Sequence, residues 1–256
     1  MTGSSPRLRA VAAAAWRFRW IVECDAETRF LGLADRLDAL GAYPSPIPSP
    51  LRGEGRERDA PAPVPDLARR AAADERRHAA HCARIAAELG GPVPAAAPAP
   101  PAAVAPGSLE EEDAVTYELV AACCIAETVS VGVLTALLPV ARDPGLRAVL
   151  HELATDEVLH ARLGWAHLAT AAARGRVAFL APLLPAMLAG SVDEDLFREV
   201  GPDLEDEGLL ALGVLPHRMK RELFAGAIEE VVLPGLSRAA VDTAAAARWL
   251  ASQRAR

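Results

Sequence analysis

Aromatic residues are scarce in this chain: Phe, Trp and Tyr together make only 4% of its 256 residues. Lysine occurs once, at Lys220, so nearly all positive charge is arginine. There are four cysteines, Cys24, Cys82, Cys123 and Cys124, and no C-x-x-C pair. Each shortage removes a class of protein. Without aromatic and β-branched runs a β-sandwich or barrel is not expected. The cysteine pattern rules against zinc ribbons, rubredoxin-like centres and thioredoxin-type loops. A chain of this length can bury a core without a disulfide scaffold. Val11–Ala15 is short and followed at once by Arg17 and Arg19, a poor secretory signal. Val177–Gly190 is uncharged but has 14 residues and holds Pro182 and Pro185. That falls short of the roughly 20 apolar residues of a membrane span. The expectation is a cytoplasmic protein with no membrane partner.

Acidic residues outnumber basic ones 34 to 27, a net charge of −7. Nucleic-acid binding, which needs a basic surface, is not expected. What the chain has in excess is alanine, 56 residues, the best helix former. The predicted class is all-α.

Four long helices can be placed. Residues 8–42 carry Trp16, Trp20, Glu23, Glu27, Phe30, Ala34 and Leu37 at alternating spacings of 4 and 3, one helical face. Gly41 supplies a stop. Residues 43–64, rich in proline, read as an exposed mobile loop. Residues 66–89 form the second helix, with Asp66 as its cap. Residues 91–108, almost only Pro, Ala and Val at their centre, read as an extended connector. At about 3.1 Å per residue it can run the length of a bundle. A third helix starts at Ser108, with acids Glu110–Asp113 in its first turn, and ends near Arg142. Asp143-Pro144 opens the fourth, which runs to about Ala173. A short link, a long crossover and a short link give the connectivity of a ferritin-like four-helix bundle, here residues 8–173. Residues 174–256 read as a helical extension packed on that bundle, with helices at Met219–Val232 and Val241–Ser252.

The chemistry is carried by a repeated motif. Glu-x-x-His occurs at Glu75–His78 and at Glu157–His160, both times after Asp (Asp74, Asp156) and before Ala. Composition alone would give this six-residue pattern far less than once in such a chain. Positions i and i+3 share a helix face, so a carboxylate and an imidazole can point at one metal ion. A two-metal site needs one more Glu from each of two further helices. Glu127 is the only acid between Glu118 and Asp143. Burying it is costly unless it pairs or binds a metal. The first helix offers Glu23 and Glu27. An internal alignment at an offset of 100 matches Cys24, Ala26, Glu27, Thr28 and Gly32 with Cys124, Ala126, Glu127, Thr128 and Gly132, which favours Glu27.

These features resemble the ferritin-like di-iron carboxylate superfamily over roughly residues 8–172. The chain is most similar to stand-alone bacterial ferritin-like proteins whose first helix has Trp-x6-Glu-x6-Phe followed by Leu-Gly-Ala, here Trp16, Glu23, Phe30 and Leu40-Gly41-Ala42. That pattern favours Glu23. Asp74–His78 also resembles the iron motif of bacterial multicomponent monooxygenases; the second copy departs from it at Leu159. The resemblance implies two irons bridged by Glu75 and Glu157, with His78 and His160 on one iron each. Glu127 and Glu23 (or Glu27) would be terminal ligands. Asp74 and Asp156 would hold the opposite histidines, and Arg77 would pair with one of those acids.

Mixed carboxylate and imidazole ligands suit iron, with manganese or a mixed pair as the alternative. The leading expectation is a di-iron oxidoreductase using O2 or peroxide on a small molecule, with a separate electron donor. A homodimer is compatible with it. The alternatives are iron handling (ferroxidase, storage or detoxification) and a structural bundle that has kept its ligands. By spacing, His81 and His167 share the metal-facing side, as outer groups or as capping and core residues. His151 and His217 read as surface residues, and the cysteines as inert buried thiols.

Overall fold

The computed structural model describes residues 5–41, 64–92, 104–192 and 196–255. Every regular element among them is helical. The expected Pro-rich loop and most of the Pro/Ala connector lie outside the described residues.

Helix α1 spans Pro6–Leu40. The Ser5 side chain accepts from the Leu8 N–H, Pro6 occupies the first turn, and Gly41 closes the helix at φ 57°. Helix α2 spans Val64–Glu88. It starts before Asp66, which therefore sits in the first turn, where its charge meets the helix dipole, rather than capping from outside. Helices α3 (Glu111–Leu119) and α4 (Thr128–Leu137) are joined without a break by a π-helical segment, Val120–Glu127. Glu110, not Ser108, is the residue before α3. Helix α5 is Pro144–Ala173, and Asp143 Oδ1 accepts from the Leu146 N–H at 2.9 Å. The C-terminal part adds α6 (Leu184–Gly190), α7 (His217–Ala227), α8 (Leu233–Arg238) and α9 (Ala244–Arg254), with 3-10 turns between α5 and α7.

Three apolar cores tie these elements together. Phe30, Leu33 and Leu37 of α1 meet Ala68 and Ala71 of α2, Val115 of α3 and Leu163 of α5. Trp16 and Trp20 meet Ile85, Leu134, Leu150 and Leu153. The extension joins this second core through Leu209 and Leu212, and the Trp16 indole N–H donates to the Leu212 carbonyl at 2.8 Å. In the third core, Val120, Cys124 and Ile125 of the π segment pack with Leu168, Leu184, Phe224 and Ile228. Each buried Val, Leu, Ile or Phe side chain among them contributes roughly 1.5–3 kcal/mol. Gly164 is needed where α5 crosses the π segment, because a Cβ there would stand 2.9 Å from the Leu119 carbonyl oxygen.

One property is not visible in the sequence reading. The continuous helix Glu111–Leu137 is long and apolar enough, by length and composition, to cross a membrane. It carries residues of all three cores and the acid Glu127.

His167 is buried against α3, not beside the Glu/His motifs. Thr116 Oγ1 gives its hydrogen to the Glu112 carbonyl (2.9 Å), so it accepts from His167 Nε2–H, also at 2.9 Å. Burial, then the nearby Arg174 charge, push this imidazole down to about 4. Between its ordinary value and 4 the unfolded chain holds the extra proton. Stability is therefore full above about pH 6.5 and falls as the pH drops towards 4, by about 3 kcal/mol for this group. His167→Gln should flatten that acid limb in urea unfolding at pH 4 and 7. An unchanged difference between the two pH values would exclude His167 as its source.

Candidate metal centre

The four helical segments bring the two motifs together. Glu75 and His78 lie on α2, Glu157 and His160 on α5, and all four side chains are buried. Glu23 of α1 is buried beside them at 3% exposure, whereas Glu27 turns away and pairs with Arg76 at 2.6 Å. The internal alignment is thus not followed by the geometry: the structure brings in Glu23, not Glu27. Glu127 arrives at the end of the π segment. A π turn carries one residue more than an α turn, which rotates the rest of the helix by about 100°. Val115, Leu119 and Cys123 serve the α1/α2 core, while Glu127 meets Glu157.

Two groups of ligand atoms result, each within 4.8 Å of one another: Glu23, Glu75, His78 and Glu157, and Glu75, Glu127, Glu157 and His160. Glu75 and Glu157 belong to both. These buried Glu/His groups have the composition and spacing to hold metal ions. Glu75 Oε1 carries a further mark. It lies 2.9 Å from His160 Nδ1 but out of line for a hydrogen bond, and is otherwise a buried oxygen without a partner. Such an oxygen is available to a bound metal ion.

Both imidazoles turn Nδ1 inward, His78 towards Glu75 at 3.1 Å and His160 towards Glu157 at 3.0 Å. Their Nε2 atoms face the acid before the opposite motif: His78 to Asp156 at 3.2 Å, His160 to Asp74 at 3.4 Å. An Nε2–H given to an aspartate leaves the Nδ1 lone pair free for a metal. Arg77 pairs with both acids, Asp74 at 2.8 Å and Asp156 at 3.0 Å, and so locks the outer layer of both histidines.

The electrostatics are those of crowded, buried carboxylates. Burial pushes Glu23 up to about 8, against Arg19 and with the Glu75 and Glu157 charges behind it. Burial and the same two carboxylates push Glu127 well up. Burial opposes charge on Glu157 too, but hydrogen bonds from His160 and Glu127 and the Arg19 charge hold it down to about 2. His78 rises to about 9 although burial opposes it, because Glu75, Glu23 and Glu157 surround it. His160 is raised further by Asp74, Glu157 and Glu75, again against burial.

Arg19 is the site residue that the sequence reading misses. Its Nε donates to Glu23 Oε1 at 2.7 Å, and its Nη2 reaches Ser130 Oγ at 3.0 Å and Glu157 Oε1 at 3.4 Å. The available signal is its position four residues before Glu23, on the same helix face. His81 pairs instead with Glu152 at 3.2 Å, away from the ligands. His151 is exposed, and His217 is partly buried near Glu205. Cys82, Cys123 and Cys124 are buried thiols that burial pushes up, which makes them poor nucleophiles.

Two adjoining cavities, of about 260 and 610 Å³, open on the side of the site away from the histidines. Both are lined by Phe18, Val22, Ala126, Glu127, Ser130 and Val133. Glu23, Arg19 and Glu157 line the smaller one. The extension forms part of both walls, through Gly213–Leu215 on one and Met187 and Phe224 on the other. Comparison of the chain with family models, with curated proteins and with solved structures finds no match.

Proposed function

We propose that residues 8–173 are a ferritin-like four-helix bundle with a long crossover before α3, and that it holds a pair of iron ions. Glu23, Glu75, His78, Glu127, Glu157 and His160 are the ligands. The single observation that carries the reading is the double ligand set sharing Glu75 and Glu157. Bound there, a redox-active metal pair supplies oxidation by O2 or peroxide, with electrons from a separate donor. Around it, the chain's own residues set the conditions. Asp74, Asp156 and Arg77 orient the imidazoles, the apolar cores exclude water, and Arg19 with Ser130 places hydrogen-bond donors on the open side.

An oxidoreductase acting on a small molecule fits better than iron storage, because the open side leads into a largely apolar groove roofed by the extension. Iron ions alone need a polar path. The extension packed on the bundle gives this groove its outer wall.

Metal analysis after expression with iron tests the reading. Two ions per chain are expected, with loss of both in Glu75→Ala and Glu157→Ala. Glu23→Ala should lose metal while Glu27→Ala keeps it. Folded, metal-free protein from iron-replete cells would remove the proposal. O2 consumption by the reduced, loaded protein then separates oxidase chemistry from metal retention alone.

A further inference from the structure

We infer that the groove beside the metal ligands binds an amphipathic small molecule: an elongated apolar body with one anionic end, the anion held by Arg29. As a substrate assignment this rests on the proposed metal site; as a binding site it stands on the groove itself.

The groove follows one stripe of α1. Phe18, Val22, Asp25, Ala26 and Arg29 all line the larger cavity. From Arg29 to Ala15, which lines the smaller cavity, the helix rises about 21 Å. The facing wall comes from the apolar helix through the π segment and α4, and only 33% of its most apolar stretch is buried. Phe18 and Val22 stand on the rim at 51% and 45% exposure. A slot of this shape, apolar along its length, selects a long apolar body rather than a compact polar one.

The charges fix which end is which. Arg29 is partly buried on the groove wall and makes no ion pair or hydrogen bond with any described residue. Asp25, one turn earlier on the same stripe, is not within ion-pair distance of it. Glu118, at the same end, is already paired with Arg36 at 2.9 Å. A guanidinium in that position matches a carboxylate in two parallel hydrogen bonds. Glu23 lies six residues before Arg29, about 9 Å along the axis. A molecule anchored at Arg29 therefore presents a carbon away from its charged end to the ligand carboxylates.

Calorimetric titration of the full chain with decanoate, 1-decanol and decylamine, below their aggregation limits, tests the assignment in metal-free and iron-loaded protein. Decanoate should bind most tightly. Arg29→Ala should weaken it about tenfold, leave decanol unchanged and leave iron content unchanged. Val133→Trp should weaken decanoate and decanol alike. Lys220 also lines both cavities but has an interaction of its own, so Lys220→Ala should keep decanoate within about twofold of wild type. Tighter binding of decylamine, a larger loss in Lys220→Ala than in Arg29→Ala, or a dimer that excludes decanoate would overturn the assignment. Iron uptake without decanoate binding would sink the groove proposal and leave the metal centre. Decanoate binding without iron uptake would support the groove and sink the metal centre.

Discussion

Loading the site with two divalent ions at pH 7 should release about four protons per chain, and the affinity should fall steeply as the pH is lowered. The charges of the site decide this. With every carboxyl ionised, the four ligand glutamates, Asp74 and Asp156 face only Arg19 and Arg77. Four negative charges are left over, which is what two divalent ions carry. Without metal, the same balance is reached with protons. His78 is raised to about 9 and Glu23 to about 8, His160 is raised further, and burial beside the Glu157 and Glu75 charges pushes Glu127 well up. His78, Glu23 and His160 therefore hold a proton at pH 7 in the metal-free protein, and a fourth, on the Glu127 that is pushed the same way, completes the charge balance; metal binding displaces them. Because the free form is the protonated one, affinity rises with pH. Above about pH 9 Glu23 and His78 have already lost their protons, so the release should shrink to about two. Calorimetry in buffers of different ionisation enthalpy counts the protons directly. A release of one proton or fewer at pH 7 would mean that the site is not held neutral in this way.

Which parts of this centre are legible in the sequence depends on how local their causes are. The two Glu-x-x-His motifs act within one helix turn, so spacing alone places their side chains on one face. Two helix ends are equally local: Gly41 and Asp143 act on their own neighbours. Glu127 stands out because a lone acid in an apolar run needs a reason. The π segment that delivers it does not, since it adds one residue per turn with no residue type that announces it. Choosing Glu23 over Glu27 needs the partner helix. Both share a face of α1, but Arg76 on α2 claims Glu27 and leaves Glu23 to the cluster. The groove is less legible still, because its walls join α1, the third helix and residues of the extension far away in sequence.

Replacing Arg19 by Met should destabilise the metal-free protein by about 3 kcal/mol, and the metal-loaded protein by much less. Arg19 is the one guanidinium that bonds ligand oxygens among the described residues; its side chain is 20% exposed, and it meets Glu23 and Glu157 on the groove side. Burial works against its charge, yet the Glu23, Cys82 and Glu157 surroundings and the Glu23 hydrogen bond raise it overall, so it stays a cation. Met keeps length and apolar volume but removes that cation, leaving the Glu157 carboxylate with less compensation in a buried place. Bound divalent ions supply charge to the same carboxylates, which is why the loss should fade on loading. The two states are linked: whatever stability the variant loses without metal and regains with it must appear as tighter binding. A difference of about 3 kcal/mol corresponds to roughly a hundredfold in affinity. Arg19 thus acts as a stand-in for metal charge that the ions must work against. Urea unfolding with and without metal, alongside metal titration of both proteins, checks all three quantities. Equal destabilisation in the two states, or weaker metal binding by the variant, would show that Arg19 supports the loaded centre instead of substituting for its charge.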